Sequence, residues 1–572
     1  MSKFGLQNQI YLYSLETKDF YTDKELKINE HYFKSLLVRK NVKNKINKIQ
    51  EYINYYESKI NSYCPLMFEE SDLYDKYKSL RKRYKKSMNN VNYISNVWKS
   101  RLNEEIDKFE KYDIRILRGD SLKTNKKIGL FESTLTRVCG FKKDETTTDL
   151  FVIKVFHYQI LESIIHNGFY YNGQKYVYFT SSAGQIRTKK IVVINENLYK
   201  NYEKVITCGL TLDDINIKGG VNANKYQAYL ALSNSASMKW NRFNIDRIVV
   251  VDDICTKVNS DVDYIDEKTF NITRMNMDIP IEHMDGCGIM LPTVSKKSFM
   301  FRMPWMKGLL TPFDFRKFVE VNNGSTKIKD IYGKEYDIIE DNINIILTKS
   351  QFKMWKYYDS WDDYKEKFKK YKCEASKLNI EDIGSKATIN YQMLQTLTTM
   401  TIDELTTIAQ DTIDDITSLG KDKKTMLRVL GAVKENNNMN YFQKSLLLYP
   451  ELLGDSHSRE VIKNKKRSLV RDAKAGKLRV NGYYTFIIPD LYAFCEWLFL
   501  GDDDPKGLLD HDEVYCNIFD DGEVDILRAP HLYREHAIRK NVLDERIAEW
   551  FITKGVYTSV KDPISKILMF DK

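Results

Sequence analysis

The stretch "SFMFRMPWMKGLLTPFDF", Ser298–Phe315, is the most informative segment of the chain for its architecture. Its first half is a short run of aromatic and apolar residues that a turn follows, which is typical of a β-strand. Arg302 and Lys307 stand among these apolar neighbours, and a cation there is costly unless it is paired or meets an anion. Gly308 would let a backbone or a ligand approach closely. The stretch therefore predicts a strand and turn that carry two anion-binding candidates.

Short β-branched and aromatic runs of the same kind lie on both sides of this stretch. They form two groups, separated by a region of helical periodicity between residues 378 and about 445. The runs that support the assignment most clearly are "LFVIKVF", "KKIVVIN", "DRIVVVDDI", "GCGIMLP" and "INIILTKS" in the first group and "YYTFIIPD", "EVDILRAP" and "KILMFD" in the second. The pattern predicts an α+β protein with two β-rich modules.

Residues 33 to about 112 are expected to form two long antiparallel helices, because apolar residues recur there at spacings of three and four. The two predicted stripes are Val42, Ile46, Ile49, Ile53, Tyr56 and Ile60, and Val91, Ile94, Trp98, Leu102, Ile106 and Phe109. A basic run, residues 81–86, lies between the stripes. It is either a solvated charged face or a face that lies along nucleic acid.

These patterns give five predicted segments. They are a helical arm at 1–117, a β-rich connecting region at 118–277, a first β module at 278–375, a helical insert at 376–475 and a second β module at 476–572.

The net charge, the cysteines and the absence of common motifs limit the classes of protein to which this chain could belong. The 572 residues include 89 Lys and Arg against 79 Asp and Glu, a net charge of +10 that is compatible with a polyanionic partner. The eight cysteines form no CxxC pair, and no apolar stretch reaches the length of a membrane helix, which predicts a cytoplasmic protein. No GxxxxGK[ST], GxGxxG or HExxH motif is present.

Two further stretches carry candidate phosphate-binding cations. "FTSSAGQIRTKK", Phe179–Lys190, places Arg187 and Lys189 after small hydroxyl residues and a glycine, as in a phosphate loop or an ordinary surface turn. In "EVDILRAPHLYREHAIRKN", Arg528 ends a strand, and His531 and Arg534 are expected on a basic helix that continues to residue 540. That helix either positions phosphates or is a solvated face.

Taken in order, these stretches resemble the single-chain RNA polymerases built on two double-psi β-barrels. The phage and prophage branch of that family is the more similar, and it is related to the eukaryotic RNA-silencing RNA-dependent RNA polymerases. The resemblance covers residues 165 to 572 and leaves the helical arm outside. The matching stretches are Ser181–Arg187, Asn222–Ser235, Asp285–Gly288, Arg302–Gly308 and Arg528–Leu532.

The resemblance implies a fold and an activity. Residues 278–375 would form the first, β-subunit-like barrel and residues 476–572 an incomplete second, β′-subunit-like barrel. The implied activity is RNA synthesis from nucleoside triphosphates on a DNA or RNA template, by a protein of a phage or mobile element in the host cytoplasm.

The resemblance also implies roles for single residues. Lys307 and Lys353 would contact the nascent chain end or the incoming triphosphate, and Arg302 and Arg528 would bind phosphates. The cations Arg187, Lys189, His531 and Arg534 are further nucleic-acid-binding candidates.

The family holds Mg²⁺ on a DxDGD motif at the end of a second-barrel strand, and "ILMFDK" is similar to that strand with Asp571 as its first aspartate. Two Mg²⁺ ions need several hard oxygen ligands, which one aspartate does not supply. We therefore expect this chain alone to be inactive. Either the polypeptide is truncated, or its gene is split and a second chain completes the barrel. The alternative is a non-catalytic nucleic-acid-binding protein derived from such a polymerase.

Overall fold

The computed structural model describes residues 9–61, 71–109, 114–123, 126–155, 157–382, 386–395, 397–434, 436, 439–528 and 536–562. The chain divides into two compact units. Unit 1 comprises Met1–Gln9, Phe131–Lys143 and Tyr202–Lys572, and unit 2 comprises Ile10–Leu130 and Asp144–Asn201. The helical arm shares unit 2 with a β-sheet to which the chain returns after residue 143.

The strands, in chain order, are β1 (Gln9–Glu16), β2 (Arg115–Ile116), β3 (Lys127–Phe131), β4 (Thr146–Lys154), β5 (Phe169–Tyr171), β6 (Gln174–Thr180), β7 (Lys190–Asn195), β8 (Met238–Lys239), β9 (Ile248–Val251), β10 (Cys255–Ile265), β11 (Ile272–Glu282), β12 (Cys287–Met290), β13 (Phe299–Met303), β14 (Met306–Pro312), β15 (Lys327–Lys329), β16 (Glu335–Asp337), β17 (Ile345–Thr348), β18 (Ser376–Ile380), β19 (Thr388–Ile389), β20 (Leu478–Arg479), β21 (Ile487–Ile488), β22 (Glu513–Tyr515), β23 (Gly522–Ile526), β24 (Ala537–Asn541) and β25 (Val556–Thr558).

The α-helices are α1 (Asp23–Asn61), α2 (Ser71–Asp107), α3 (Thr134–Val138), α4 (Tyr158–Asn167), α5 (Ala183–Arg187), α6 (Glu196–Ile206), α7 (Leu212–Ile217), α8 (Ala223–Leu230), α9 (Phe315–Asn322), α10 (Trp361–Lys370), α11 (Tyr391–Gln395), α12 (Ile402–Ser418), α13 (Lys423–Val429), α14 (Tyr441–Leu448), α15 (Ser456–Lys474), α16 (Leu491–Cys495) and α17 (Glu545–Trp550).

Unit 2 combines a seven-stranded sheet with a long helical hairpin. The sheet has the order β2-β5-β6-β7-β4-β1-β3. The hairpin of α1 and α2 is antiparallel, since Tyr52 packs on Tyr84 and Tyr56 reaches back to Tyr77. Its predicted apolar seam is present, with Ile49 and Ile53 buried against residues of α2. The helices thus form as predicted, although α1 begins at Asp23, earlier than the periodicity indicated.

A buried ion pair ties the base of the hairpin to the sheet of unit 2. The guanidinium of Arg115, on β2, donates to both carboxylate oxygens of Glu25, on α1, at 2.9 and 3.1 Å. Both side chains are almost fully buried. Such a bidentate pair adds geometric specificity, so the hairpin leaves the sheet in one defined direction.

Unit 1 contains two sheets that share one strand order. In the first, β9 pairs in parallel with β17, β17 is antiparallel to β12, β12 is parallel to β14, and β14 is antiparallel to β13. In the second, the same sequence of pairings runs through β21, β25, β22, β24 and β23. When the five strands of each sheet are numbered along the chain, both sheets have the strand order 1-5-2-4-3. The two sheets therefore repeat one fold, although no repeat is visible in the sequence.

The first sheet also carries β18 and β8 beyond β13, and helices α11 to α15 lie between the two sheets in sequence, as the predicted insert does. In the described part of the chain, no pairing joins the two outermost strands of either sheet. The structure therefore shows a mixed α+β protein with two related sheets, and closed double-psi barrels stay a prediction.

Two local expectations differ from the structure. Residues after His536 were expected on a helix, but Ala537–Asn541 is a strand antiparallel to β23. Burial alternates along it, with Ala537, Arg539 and Asn541 inside, which is the period of a strand. The β10–β11 hairpin was not predicted, although apolar residues recur at every second position from Met275 to Ile281. None of the side chains of the two strands is buried, so the hairpin is held mainly by its backbone pairing.

Within the described residues, no helix is both long enough and apolar enough to cross a lipid bilayer.

Candidate active site

The turn between β13 and β14 brings two cations face to face. Pro304 and Trp305 form this two-residue connection, and Trp305 adopts a left-handed backbone with φ +61°. The turn is anchored on both sides, since the Trp305 indole donates to the carbonyl of Thr207 at 2.7 Å and the Tyr364 hydroxyl donates to that of Pro304 at 2.8 Å. The strand pairing that follows sets Arg302 directly opposite Lys307.

Side chains directly opposite in an antiparallel pair point to the same face, so Arg302 and Lys307 project together. Two cations in this arrangement are normally destabilising. Arg302 forms no ion pair among the described residues, and its terminal nitrogen donates only to the carbonyl of Phe301 at 2.7 Å. Its Nε is buried without a hydrogen-bond partner, and burial lowers the pKa of Arg302 to about 10. Arg302, with Lys307 opposite it, is therefore a candidate for binding an anion.

Gly308 follows Lys307 because no side chain fits at that position. A Cβ there would lie 2.2 Å from Nε2 of Gln351 and 2.6 Å from the carbonyl oxygen of Gly286. The fully buried Gln351 amide donates to the carbonyls of Gly286 and Leu309 at 3.1 and 2.9 Å. The close backbone approach foreseen at Gly308 is thus made by the carbonyl of Gly286, and the Gln351 side chain lies at least as close and ties β14 to the turn before β12.

A second network orders that turn, Asp285–Gly286. The backbone N–H of Gly286 donates to the hydroxyl of Ser350 at 2.9 Å, and that hydroxyl donates to Asp253 at 2.7 Å. Burial raises the pKa of Asp253 to about 6, and its hydrogen bonds with Ser350 oppose the shift. A loop from β9 and a loop from β17 therefore hold the glycine turn beside the cations.

Lys353, in the segment after β17, lies next to the turn between β13 and β14. Phe352 forms a β-bridge with Met306, and the backbone N–H of Lys353 donates to the carbonyl of Trp305 at 3.0 Å. Backbone pairing thus holds Lys353 next to the turn that presents Arg302 and Lys307.

One large cleft of unit 1, with a volume of about 1540 Å³, is lined by Arg302, Lys307, Gly308, the Asp285–Gly286 turn and Lys353. Its walls come from both related sheets, from α8 and from the helical insert. The cations that line it are Lys225, Arg302, Lys307, Lys353 and Arg528. Its aromatic residues are Tyr229, Tyr483, Tyr484, Phe486 and Phe519. A basic, partly aromatic cleft of this size suits a nucleotide or a polynucleotide.

His536 lies on the wall formed by the second sheet and bridges it to the helical insert. Its Nε2 donates to the carbonyl of Met393 at 2.9 Å, and its Nδ1 lies 2.8 Å from the carboxylate of Asp525. Burial by itself lowers the pKa of His536, but the bonds to Asp525 and Met393 outweigh it and raise the pKa. With both ring nitrogens engaged, His536 is a structural bridge.

The predicted site residues fall into three groups. Arg302, Lys307, Lys353 and Arg528 line the common cleft. Arg187 ends the short helix α5 of unit 2, and Lys189 follows it with φ +55°. The predicted residues His531, Arg534 and Asp571 lie outside the described residues.

Sequence reasoning missed the contribution of the helical insert and of the loop that follows it. Met393, Leu394, Leu397 and Ile408 form an apolar part of the cleft wall, and Tyr483 and Tyr484 lie beside them. The aromatic run "NGYYTF" is the one local signal that could have drawn attention to this wall. Lys225, on α8 within the matching stretch Asn222–Ser235, was not singled out.

The described residues do not supply a clustered metal site in the cleft. Its acidic lining consists of Asp285, Glu523 and Asp525, and Asp525 is engaged with His536. A separate group, His511, Asp512 and Asp562, has metal-like spacing, but Arg539 pairs with Asp562 there. Because Asp571 is not among the described residues, magnesium binding stays a prediction.

No protein-family model matches the chain. A comparison with known proteins finds 50% identity over 570 residues to the DNA-directed RNA polymerase YonO of Bacillus phage SPbeta. The chain is similar to a phage RNA polymerase.

The alignment with YonO covers 100% of this chain and 63% of the phage protein. The similarity therefore includes both related sheets and the helical arm, which lay outside the resemblance that the motifs indicated. It supports the phage side of that resemblance and leaves the relation to RNA-silencing polymerases a prediction.

Proposed function

We propose that this chain takes part in template-directed RNA synthesis, as all or part of a phage-type RNA polymerase. The observation that carries the proposal is the opposed pair of Arg302 and Lys307 on the wall of the large cleft. A partly desolvated guanidinium facing an ammonium group is stabilised when an anion with several oxygens binds between them. A triphosphate or a polynucleotide backbone is such an anion.

The other lining residues support a nucleic acid as the occupant. Lys353 and Arg528 add positive charge, and Arg528 lies just after β23, so segments next to both related sheets contribute cations to one cleft. We assign the triphosphate or the nascent RNA end to Lys307 and Lys353, and phosphates of the polynucleotide to Arg302 and Arg528. The lysines neutralise phosphate charge, and the guanidinium groups orient phosphates through paired hydrogen bonds.

The proposal includes Mg²⁺, for which Asp571 would be one carboxylate ligand. When bound, the ions stabilise the attacking and leaving oxygens of phosphoryl transfer. The resemblance of "ILMFDK" to the metal-binding strand of two-barrel polymerases supports this part. DNA is proposed as the template because the similar phage protein is named as DNA-directed.

The test is the incorporation of labelled ribonucleotides by the protein that the natural gene encodes, with Mg²⁺ and either a DNA or an RNA template. We expect RNA on the DNA template, and we expect Arg302→Gln to abolish it. If neither template yields RNA and Arg302→Gln leaves template binding unchanged, the polymerase proposal fails. A non-catalytic nucleic-acid-binding protein is then the better description.

A further inference from the structure

The helical hairpin of unit 2 carries most of the net charge of the chain. Helices α1 and α2 together contain 18 Lys and Arg against 10 Asp and Glu, a net charge of +8. The whole protein has a net charge of +10. Because this positive charge is concentrated on two exposed helices, the hairpin should attract a polyanion electrostatically.

The basic run at residues 81–86 is not the most open part of this surface. Lys85 and Arg81, on α2, lie 2.8 and 4.0 Å from the carboxylate of Glu57 on α1. The carboxylate of Glu57 thus partly neutralises the positive charge of these two side chains. A polyanion binds more favourably where cations have no carboxylate to compete for them.

One face of α1 carries a second set of lysines. Lys45, Lys48, Tyr52, Tyr55 and Lys59 recur at spacings of three and four, so they form one stripe, here called the α1 stripe. All five are exposed. Within the described residues, neither Lys45 nor Lys48 forms an ion pair. At 1.5 Å per residue the stripe is about 21 Å long, enough for several nucleotides.

The two tyrosines of the α1 stripe, Tyr52 and Tyr55, are half exposed, each at 50%. Tyr52 stacks on Tyr84 of α2, with ring centroids 5.1 Å apart and planes inclined by 25°. Tyr55 packs edge-on against Tyr56 at 5.3 Å, and the ammonium of Lys59 lies 5.8 Å from its centroid. These contacts hold the rings in place while part of each stays open to solvent.

We infer that the α1 stripe binds a single-stranded polynucleotide. Lysines spaced along a helix contact phosphates, and restrained aromatic rings between them offer stacking surfaces for bases. Bases in a duplex are already stacked, so the tyrosines favour an unpaired strand. This inference does not depend on the proposed function of the cleft, because it concerns a different surface of the chain.

The test uses the full chain and fluorescently labelled dT12 and U12 oligonucleotides, which separate DNA from RNA as the ligand. The triple variant Lys45→Gln, Lys48→Gln and Lys59→Gln should weaken binding at least about tenfold. It should also reduce the slope of log Kd against log salt by about 2, since each lost contact with a single strand accounts for about 0.7. Lys43→Gln, an exposed lysine of α1 outside the stripe, is the matched control and should change Kd less than about twofold.

The stacking role is tested separately at Tyr55. Tyr55→Ala should weaken binding about fivefold or more without changing the salt slope, whereas Tyr55→Phe should bind like the unaltered protein. Circular dichroism checks that each variant keeps its helices. An iodouracil-containing oligonucleotide should cross-link to Tyr52 or Tyr55 on irradiation.

Three results would overturn the inference. The first is that the lysine and Tyr55 variants bind the oligonucleotides as tightly as the unaltered protein. The second is that a duplex binds as tightly as a single strand and that Tyr55→Ala does not change its affinity. The third is that cross-links form only in the cleft. Loss of all oligonucleotide binding in Arg302→Gln, with none lost in the stripe variants, would reject the α1 stripe and leave the proposed function standing.

Discussion

Arg302 and Lys307 become a candidate binding site only through the way in which the fold places them. Each is an ordinary cation in the sequence, and their separation of five residues indicates no shared face. The two-residue turn at Pro304 and Trp305 places them opposite each other, with Arg302 partly desolvated and without a carboxylate among the described residues. A structural role is usually accompanied by a counter-charge, so this arrangement favours a ligand.

Replacement of Lys307 by Ala should slow ribonucleotide incorporation roughly 100-fold or more, because one positioned charge at a reacting phosphate commonly contributes that much. Template affinity, measured by fluorescence anisotropy, should change little. Lys296→Ala, an exposed lysine of the loop before β13, is the control and should elongate normally. An unchanged rate in Lys307→Ala would remove this residue from the site.

Gly308→Ala should destabilise the protein by about 2 kcal/mol, because the new Cβ overlaps Gln351 and the carbonyl of Gly286. Both neighbours are held in a hydrogen-bonded network and have little room to move. Urea unfolding monitored by tryptophan fluorescence measures the change. Gly454→Ala, where the added Cβ meets nothing within 4 Å, should leave stability nearly unaltered. Equal stabilities for the two variants would contradict the role assigned to Gln351.

Among the secondary-structure elements, β24 is the most instructive. Its residues were expected on a helix because cations and histidines follow a strand end there. In the structure the segment pairs with β23 along five residues, and its buried Arg539 is neutralised by Asp562. Long-range pairing thus overrides local composition, which is the usual reason that strands are misassigned.

The contact between β24 and the insert predicts a specific pH dependence. The folded pKa of His536 is raised, so its bonds to Asp525 and Met393 stabilise the protein fully below about pH 6.5, the ordinary value for histidine. That contribution is lost as the pH rises through the folded pKa. The stability difference between the unaltered protein and His536→Gln, measured by urea unfolding, should therefore be largest near pH 6 and smallest near pH 8.5.

Asp525→Asn serves as the matched variant, because removing the carboxylate removes the main reason for the raised pKa. It should show the same flattened pH profile as His536→Gln. A stability gap that stays constant from pH 6 to pH 8.5 would mean that the imidazole does not gain a proton on folding.

The chain as a whole is organised as two compact units, one of which contains two sheets of the same strand order. Neither unit is continuous in sequence, since residues 131–143 belong with unit 1 while their flanking residues belong with unit 2. Chains built from several units commonly depart from two-state unfolding.

Differential scanning calorimetry should accordingly resolve two unfolding transitions. Phe151→Ala, at a fully buried position in the sheet of unit 2, should lower one of them, since such a truncation costs about 3–5 kcal/mol. Gly308→Ala should lower the other. A single transition that both variants lower by the same amount would show that the units unfold together.

The local pattern of residues was sufficient to predict the helical hairpin and several buried strands, such as β4, β7, β9 and β17. It also singled out Arg302, Lys307 and Arg528 as candidates, whereas Lys353 came from the family resemblance. Helices and buried strands have apolar residues at short, regular spacings, so a local stretch of sequence is enough to recognise them. The repeated 1-5-2-4-3 order, the clamp at Gln351 and the cleft wall formed by the insert were not predictable in this way. Each depends on contacts between residues far apart in the chain, where the free energy of packing selects one arrangement among many that the local pattern allows.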